Sequence, residues 1–275
     1  MSHIKNLLAV LTDAKTGRSV FETARAAQRH RGCHIDALHV RPDPVAGLPL
    51  VGEAMAGSMV EEMMAIAEKE SAARAAAVRG MVDALGAGNA NLSWIDANGA
   101  EDQVVSLRAG RADLIVLARP TGENETAALM TLNAALMQSA RPVLAAPPEG
   151  AAIRFAHIAV VWNDSTEATR AVTAGLPFLT RAARVTVLRV QEEEWFAPTE
   201  DLEAYLGYHG ITMGLAKVPP GQTRTGAALL ASAAEAGADM MIMGAYTRSK
   251  LRQLMLGSVT GYVMQHANLP ALLCH

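Results

Sequence analysis

Leu7-Leu8-Ala9-Val10-Leu11-Thr12-Asp13 decides the fold, because it returns about 150 positions later as Ile158-Ala159-Val160-Val161-Trp162-Asn163-Asp164. Each copy is a short apolar run, closed by a polar pair and followed by a helix-like segment. An apolar run of this length bounded by turn formers reads as a strand buried on both faces. The next runs keep the offset: Ile35 to Val40 closes on Ala37-Leu38-His39-Val40, and Val185 to Val190 closes on Val187-Leu188-Arg189-Val190. Arg111-Ala112-Asp113-Leu114-Ile115-Val116-Leu117 then resembles Gly237-Ala238-Asp239-Met240-Met241-Ile242-Met243. Likewise Arg141-Pro142-Val143-Leu144-Ala145 resembles Leu269-Pro270-Ala271-Leu272-Leu273, now at an offset of about 127. The chain is one unit written twice, and the first copy is longer in its middle.

Pro147-Pro148-Glu149-Gly150 marks the join, since two prolines and a glycine after a strand neither continue a ladder nor enter a helix interior. The expected domains are 1–147 and 151–275. Alanine-rich segments with apolar residues at helical spacing lie between the strands. They cover 18–30, 53–86, 100–109 and 125–139 in the first half, and 166–180, 198–208, 222–236 and 258–267 in the second. Strand and helix alternating in this way imply a parallel sheet with right-handed crossovers and helices on both faces. Each half is therefore expected to be a five-stranded, doubly wound α/β domain, two of them in tandem.

The composition narrows the function. The 275 residues carry 24 basic and 27 acidic side chains, a formal charge of −3, so no global field favours nucleic acid or an anionic membrane. With 51% hydrophobic but only 4% aromatic residues, the core must be built from Ala, Val, Leu, Ile and Met. Cys33 and Cys274 have no CxxC partner, which excludes a disulfide scaffold and a thiolate zinc site. The eight histidines contain no HExxH, so no metal site is expected. No apolar run approaches about 18 residues, and the N-terminal one stops at Asp13. A cytoplasmic protein is the expectation.

In a doubly wound sheet, ligands bind beyond the carboxyl ends of the strands, where strand order reverses. Asp13 and Asp164 stand there, each readable as a helix N-cap or as a ligand contact. The richer segment follows Asp239. A strand ends at Gly244, a basic loop holds Arg248, Lys250 and Arg252, and Gly257-Ser258 opens an apolar-periodic helix. Glycine lets backbone approach a ligand closely, Ser258 suits an N-cap, and the free amides of a helix start bind anions. The segment reads as a phosphate cradle.

These features together resemble the universal stress protein family: the order of elements, the Asp after the first strand, and the close from Gly257-Ser258-Val259 through His266-Ala267 to Leu269-Pro270. The likeness is strong in the second half and weak in the first. It implies a Rossmann-like fold of the type shared with adenine nucleotide alpha hydrolases. It also implies a motif of Gly, two residues, Gly, nine residues, then Gly with Ser or Thr. Gly244 and Gly257-Ser258 match, but Thr247 replaces the second glycine. A β-branched residue there is strained if φ is positive, or its hydroxyl itself donates to a phosphate.

Carried over position by position, the resemblance places Asp164 near the ribose or adenine and the Val190 backbone beside the adenine. Met243 and Gly244 fall near the ribose, and Gly257, Ser258 and Val259 at the phosphates. The implied ligand is ATP, alone or with Mg2+. In the first half, Leu129 and Met130 fall opposite Gly257 and Ser258, and Ala118 opposite Gly244. That half is expected to bind no nucleotide and to serve as a structural partner.

Other features take ordinary readings. Arg41 to Ser58 reads as a surface loop, Glu192-Glu193-Glu194 as a solvated run, and Met55, Met59, Met63 and Met64 as core packing under a long helix. There is no GxxxxGK[ST], GxGxxG or GxSxG, and no residue presents itself as a nucleophile or general base. The leading expectation is a universal stress protein that binds ATP in its C-terminal half as a regulatory ligand and is not an enzyme. Its halves would form an intramolecular pseudo-dimer through strands 142–145 and 270–274. The alternatives are a nucleotide-free scaffold acting through a protein partner and a slow ATPase. Association of two chains into a homodimer is left open.

Overall fold

The computed structural model describes residues 4–43, 57–120, 125–151, 153–190, 199–219, 225–245 and 258–275. The first half of the chain supplies β1 (Asn6–Val10), α1 (Ala14–Arg31), β2 (His34–Arg41), α2 (Gly57–Gly86), β3 (Leu92–Asn98), α3 (Glu101–Ala109), β4 (Leu114–Leu117), α4 (Glu125–Gln138) and β5 (Val143–Ala145). The second supplies β6 (His157–Val161), α5 (Thr166–Leu179), β7 (Arg184–Val190), α6 (Thr199–Tyr208), β8 (Met213–Val218), α7 (Thr225–Glu235), β9 (Met240–Gly244), α8 (Ser258–His266) and β10 (Ala271–Cys274).

The strands form one ten-stranded sheet in the order β3-β2-β1-β4-β5-β10-β9-β6-β7-β8. Every neighbouring pair is parallel except β5 with β10, which run antiparallel with Leu144 opposite Leu272. The two doubly wound sets of five strands thus share a single sheet. Both central strands, β5 and β10, are fully buried, so neither set is left with an apolar edge in the middle.

Alternation along each strand sends side chains to opposite faces, and the core accordingly has two layers. Leu7, Ala9, Ile35, Ala37, Ile158, Val160 and Ile242 pack with α1, α2, α5 and α6. Leu8, Val10, Ile115, Leu117, Ala159, Met241 and Met243 pack with α3, α4, α7 and α8. The outer strands β3 and β8 are half exposed, which departs from strands buried on both faces and follows from their place at the sheet edges.

One pair of repeated residues has a repeated job. Asp113 accepts hydrogen bonds from the amides of Lys5 (2.8 Å) and Asn6 (3.1 Å), and Asp239 accepts from those of Ala156 (3.1 Å) and His157 (2.9 Å). Each carboxylate holds the chain entering the first strand of its half.

The methionine reading needs correction. Met59 is 56% exposed and Met63 and Met64 are partly exposed, while Met55 lies outside the described residues. At 1.5 Å per residue a 30-residue helix is about 45 Å long, well beyond what an eight-residue strand spans. Only the last turns of α2, with Ala75, Val78 and Val82, reach the core. Most of the 41–58 segment, and Glu192 to Glu194, lie outside the described residues.

Candidate functional site at the carboxyl ends of β6, β7 and β9

In the second half the chain goes from β6 outward to β7 and β8, then crosses to β9 on the other side of β6. Strand order therefore reverses between β6 and β9, and a crevice opens past their carboxyl ends. The first half repeats this between β1 and β4.

Three residues follow β6 and divide the local work. Ser165 caps α5, its hydroxyl accepting from the Ala168 amide at 3.1 Å, and the Asn163 side-chain carbonyl accepts from the Ser165 amide at 3.3 Å. Asp164 is exposed and sits at φ 55°, a left-handed conformation that aspartate tolerates better than most residues. Its carboxylate is not the helix cap. Asp13, its counterpart in sequence, is the cap of α1 and accepts from the amides of Lys15 and Thr16, both at 2.8 Å. The same residue type at the same place thus has two fates.

Val190 is the last residue of β7, half-buried and in register with Val218. Met243 is buried in the α7 and α8 layer. Gly244 ends β9 opposite Cys274, and a Cβ built there would meet the Ala168 amide nitrogen at 2.7 Å and the Glu167 carbonyl carbon at 2.8 Å. Those are backbone atoms of the first turn of α5, which cannot swing aside. This glycine is thus required by strand-on-helix packing, whatever a ligand also asks of it.

Ser258 is the first residue of α8 rather than the residue before it, and Val259 is half-buried against the second layer. Because β10 is parallel to β9, α8 runs back across the sheet and its start lies at the carboxyl end of the strands. Thr247 and Gly257, with Arg248, Lys250 and Arg252, lie outside the described residues. The structure thus brings Asp164, Val190, Met243, Gly244 and the start of α8 to one end of the sheet. No group of three or more His, Cys, Asp or Glu suited to a metal occurs among the described residues.

The first half differs at each equivalent position. Leu129 and Met130 lie inside α4, which starts at Glu125, so at the positions equivalent to Gly257 and Ser258 the first half has helix interior rather than a helix start. Instead Glu101, the first residue of α3, accepts hydrogen bonds from the hydroxyls of Thr12 and Thr131, both at 2.9 Å. Sequence reasoning missed this triad. An acid in a first helical turn is ordinary, and nothing in the spacing shows that residues 12, 101 and 131 meet.

Arg119, after β4, was also missed. It is 8% exposed, and its Nε donates to the Ala146 carbonyl at 2.9 Å. Nη1 donates to the carbonyls of Val263 (3.5 Å) and Ala267, and Nη2 to that of Leu269. Burial lowers its pKa to about 10, so the guanidinium stays charged at neutral pH. Its acceptors include the last carbonyls of α8, the negative end of that helix. A single side chain of the first half therefore clasps the far end of the helix whose start borders the second crevice.

Comparison with known proteins agrees with this architecture. The model of the Universal stress protein family matches residues 221–275. A universal stress protein from Archaeoglobus fulgidus DSM 4304 is similar over 99% of this chain and 96% of its own, at 17% identity and a TM-score of 0.68. A functionally unknown protein from Pseudomonas aeruginosa PAO1 is similar over 98% of this chain and 92% of its own, at 12% identity and a TM-score of 0.60. No curated protein matches the sequence. Residues 221–275 match the model of the Universal stress protein family, and the fold of the whole chain, two doubly wound units in tandem, is similar to that of the Archaeoglobus fulgidus protein.

Proposed function

We propose that the second half binds an adenine nucleotide, ATP alone or with Mg2+, in the crevice past β6, β7 and β9. The observation that carries this reading is the convergence there of Asp164, the Val190 backbone and the start of α8, the last of these inside the segment that matches the family. A helix start offers unpaired amides to phosphate, a strand-end backbone offers hydrogen bonds to a base edge, and an exposed carboxylate suits ribose hydroxyls. Nothing in this set is poised to activate water or to attack phosphorus as a nucleophile, so the bound nucleotide acts as a regulatory ligand in a stress response. The protein itself would reside in the cytoplasm.

Native mass spectrometry with and without ATP and magnesium tests the reading. One nucleotide per chain is expected, lost in Gly257→Arg, whose long cationic side chain would fill the phosphate end. No adduct at millimolar ATP overturns it and favours a nucleotide-free scaffold. The pairing of β5 with β10 suits that alternative too, since an intramolecular pseudo-dimer could present one composite face to a protein partner or to a second chain.

A further inference from the structure

We propose that the Glu101 carboxylate is a built-in occupant of the first half's crevice, an internal stand-in for a ligand oxyanion, and that removing it opens a second anion site on the chain. The geometry has three parts. Thr12 follows β1 and is the counterpart of Asn163 at the reversal point, and Thr131 on α4 is the counterpart of Val259 at the candidate phosphate end. Their two hydroxyls each donate to one oxygen of the same carboxylate at 2.9 Å. Thr131 is 4% exposed, so its hydroxyl has no bulk water to turn to when the carboxylate leaves.

A pair of convergent hydroxyl donors holding one anionic group is also what a tetrahedral oxyanion needs. Among the described residues, the corresponding corner of the second half shows no such plug. Helix α7 starts at Thr225 with no acid in its first turn, whereas α3 starts with Glu101 and Asp102. The repeat therefore differs in the sign it supplies: the first crevice brings its own anion, and the second is left to accept one.

The probe is inorganic phosphate, and the readout is the number of phosphate ions bound per chain, followed by 31P NMR titration of the full-length protein. Glu101→Ala removes the carboxylate together with the volume it fills. It is expected to bind one phosphate more than the parent chain, at least tenfold more tightly at that position. The gain should vanish when Thr12→Val and Thr131→Val are added. Because the comparison is a difference, it holds whether or not the second half binds anything. An unchanged count overturns the proposal. A gain that survives loss of both hydroxyls also overturns it, marking an adventitious ion only. If Glu101→Ala does not fold, Glu101→Ser vacates the corner while keeping a small polar residue at the start of α3, and phosphate should then raise its melting temperature more than that of the parent. Equal shifts overturn the proposal as well.

Discussion

The end of the sheet past β1 and β4 and the end past β6 and β9 are the same place in two copies of one unit, finished in opposite ways. In the first copy, Asp13 is engaged as a helix cap, Glu101 fills the corner between two hydroxyls, and α4 already runs where the second copy begins its helix. In the second copy, Ser165 takes over capping, Asp164 stands outside the cap in a left-handed conformation, and α8 begins at the mouth of the crevice. A duplicated fold can thus keep its core while one site closes, because the core depends on strand faces and the site depends on strand ends.

The first copy is nevertheless not idle, and the sharpest way to break the comparison is to remove what it lends the second. Arg119→Met should cost about 3 kcal/mol of unfolding free energy, since the carbonyls it serves would be left without a donor in a buried place. Urea denaturation measures this. A loss below about 1 kcal/mol would mean that water replaces the guanidinium and that the two halves are not clasped there.

Glycine 244 comes next. Gly244→Val forces a side chain against α5 backbone and should cost about 2–3 kcal/mol, while Ala118→Val at the matching position of the first half should cost less than half as much. Equal losses in thermal melts would erase the contrast between the two strand ends. Thr131→Val removes one of the two donors to the Glu101 carboxylate and should cost about 1.5 kcal/mol by the same measurement.

The smallest effect is alkaline. Burial pushes the Cys274 thiol up from 9.0 to about 12, so above pH 9 the unfolded chain releases this proton while the folded chain keeps it. Stability should therefore fall as pH rises, by about 1 kcal/mol between pH 9 and 10. Cys274→Val should flatten that slope. Arg119 acts in the opposite sense, but only above pH 10, where its folded form loses a proton that the unfolded form still holds.

The fold was legible because its signal is local and repeated. Runs such as Leu7 to Leu11 and Ile158 to Trp162 are short, apolar and echoed, and the helices between them lie within a few residues of where periodicity puts them. The likeness that the family model finds over residues 221–275 was legible in Gly257-Ser258-Val259 and the close that follows. The closed crevice was not, because Thr12, Glu101 and Thr131 are separated by tens of residues and each is unremarkable alone. Arg119 was hidden for the same reason: its value lies in carbonyls that no sequence pattern marks. The exposed methionines of α2 misled because helical spacing shows a face but not whether a sheet extends far enough to cover it.

The reach of Arg119 has a consequence for how the chain is made. Its acceptors Val263, Ala267 and Leu269 lie 144 to 150 residues downstream. Multidomain chains ordinarily complete their N-terminal unit while the rest is still being translated. Here the early unit emerges with a guanidinium lacking most of its partners and with β5 open along one edge. Both the downstream carbonyls that receive the guanidinium and the strand that seals β5 lie between Val263 and Cys274, so the two contacts form only after that stretch has been made.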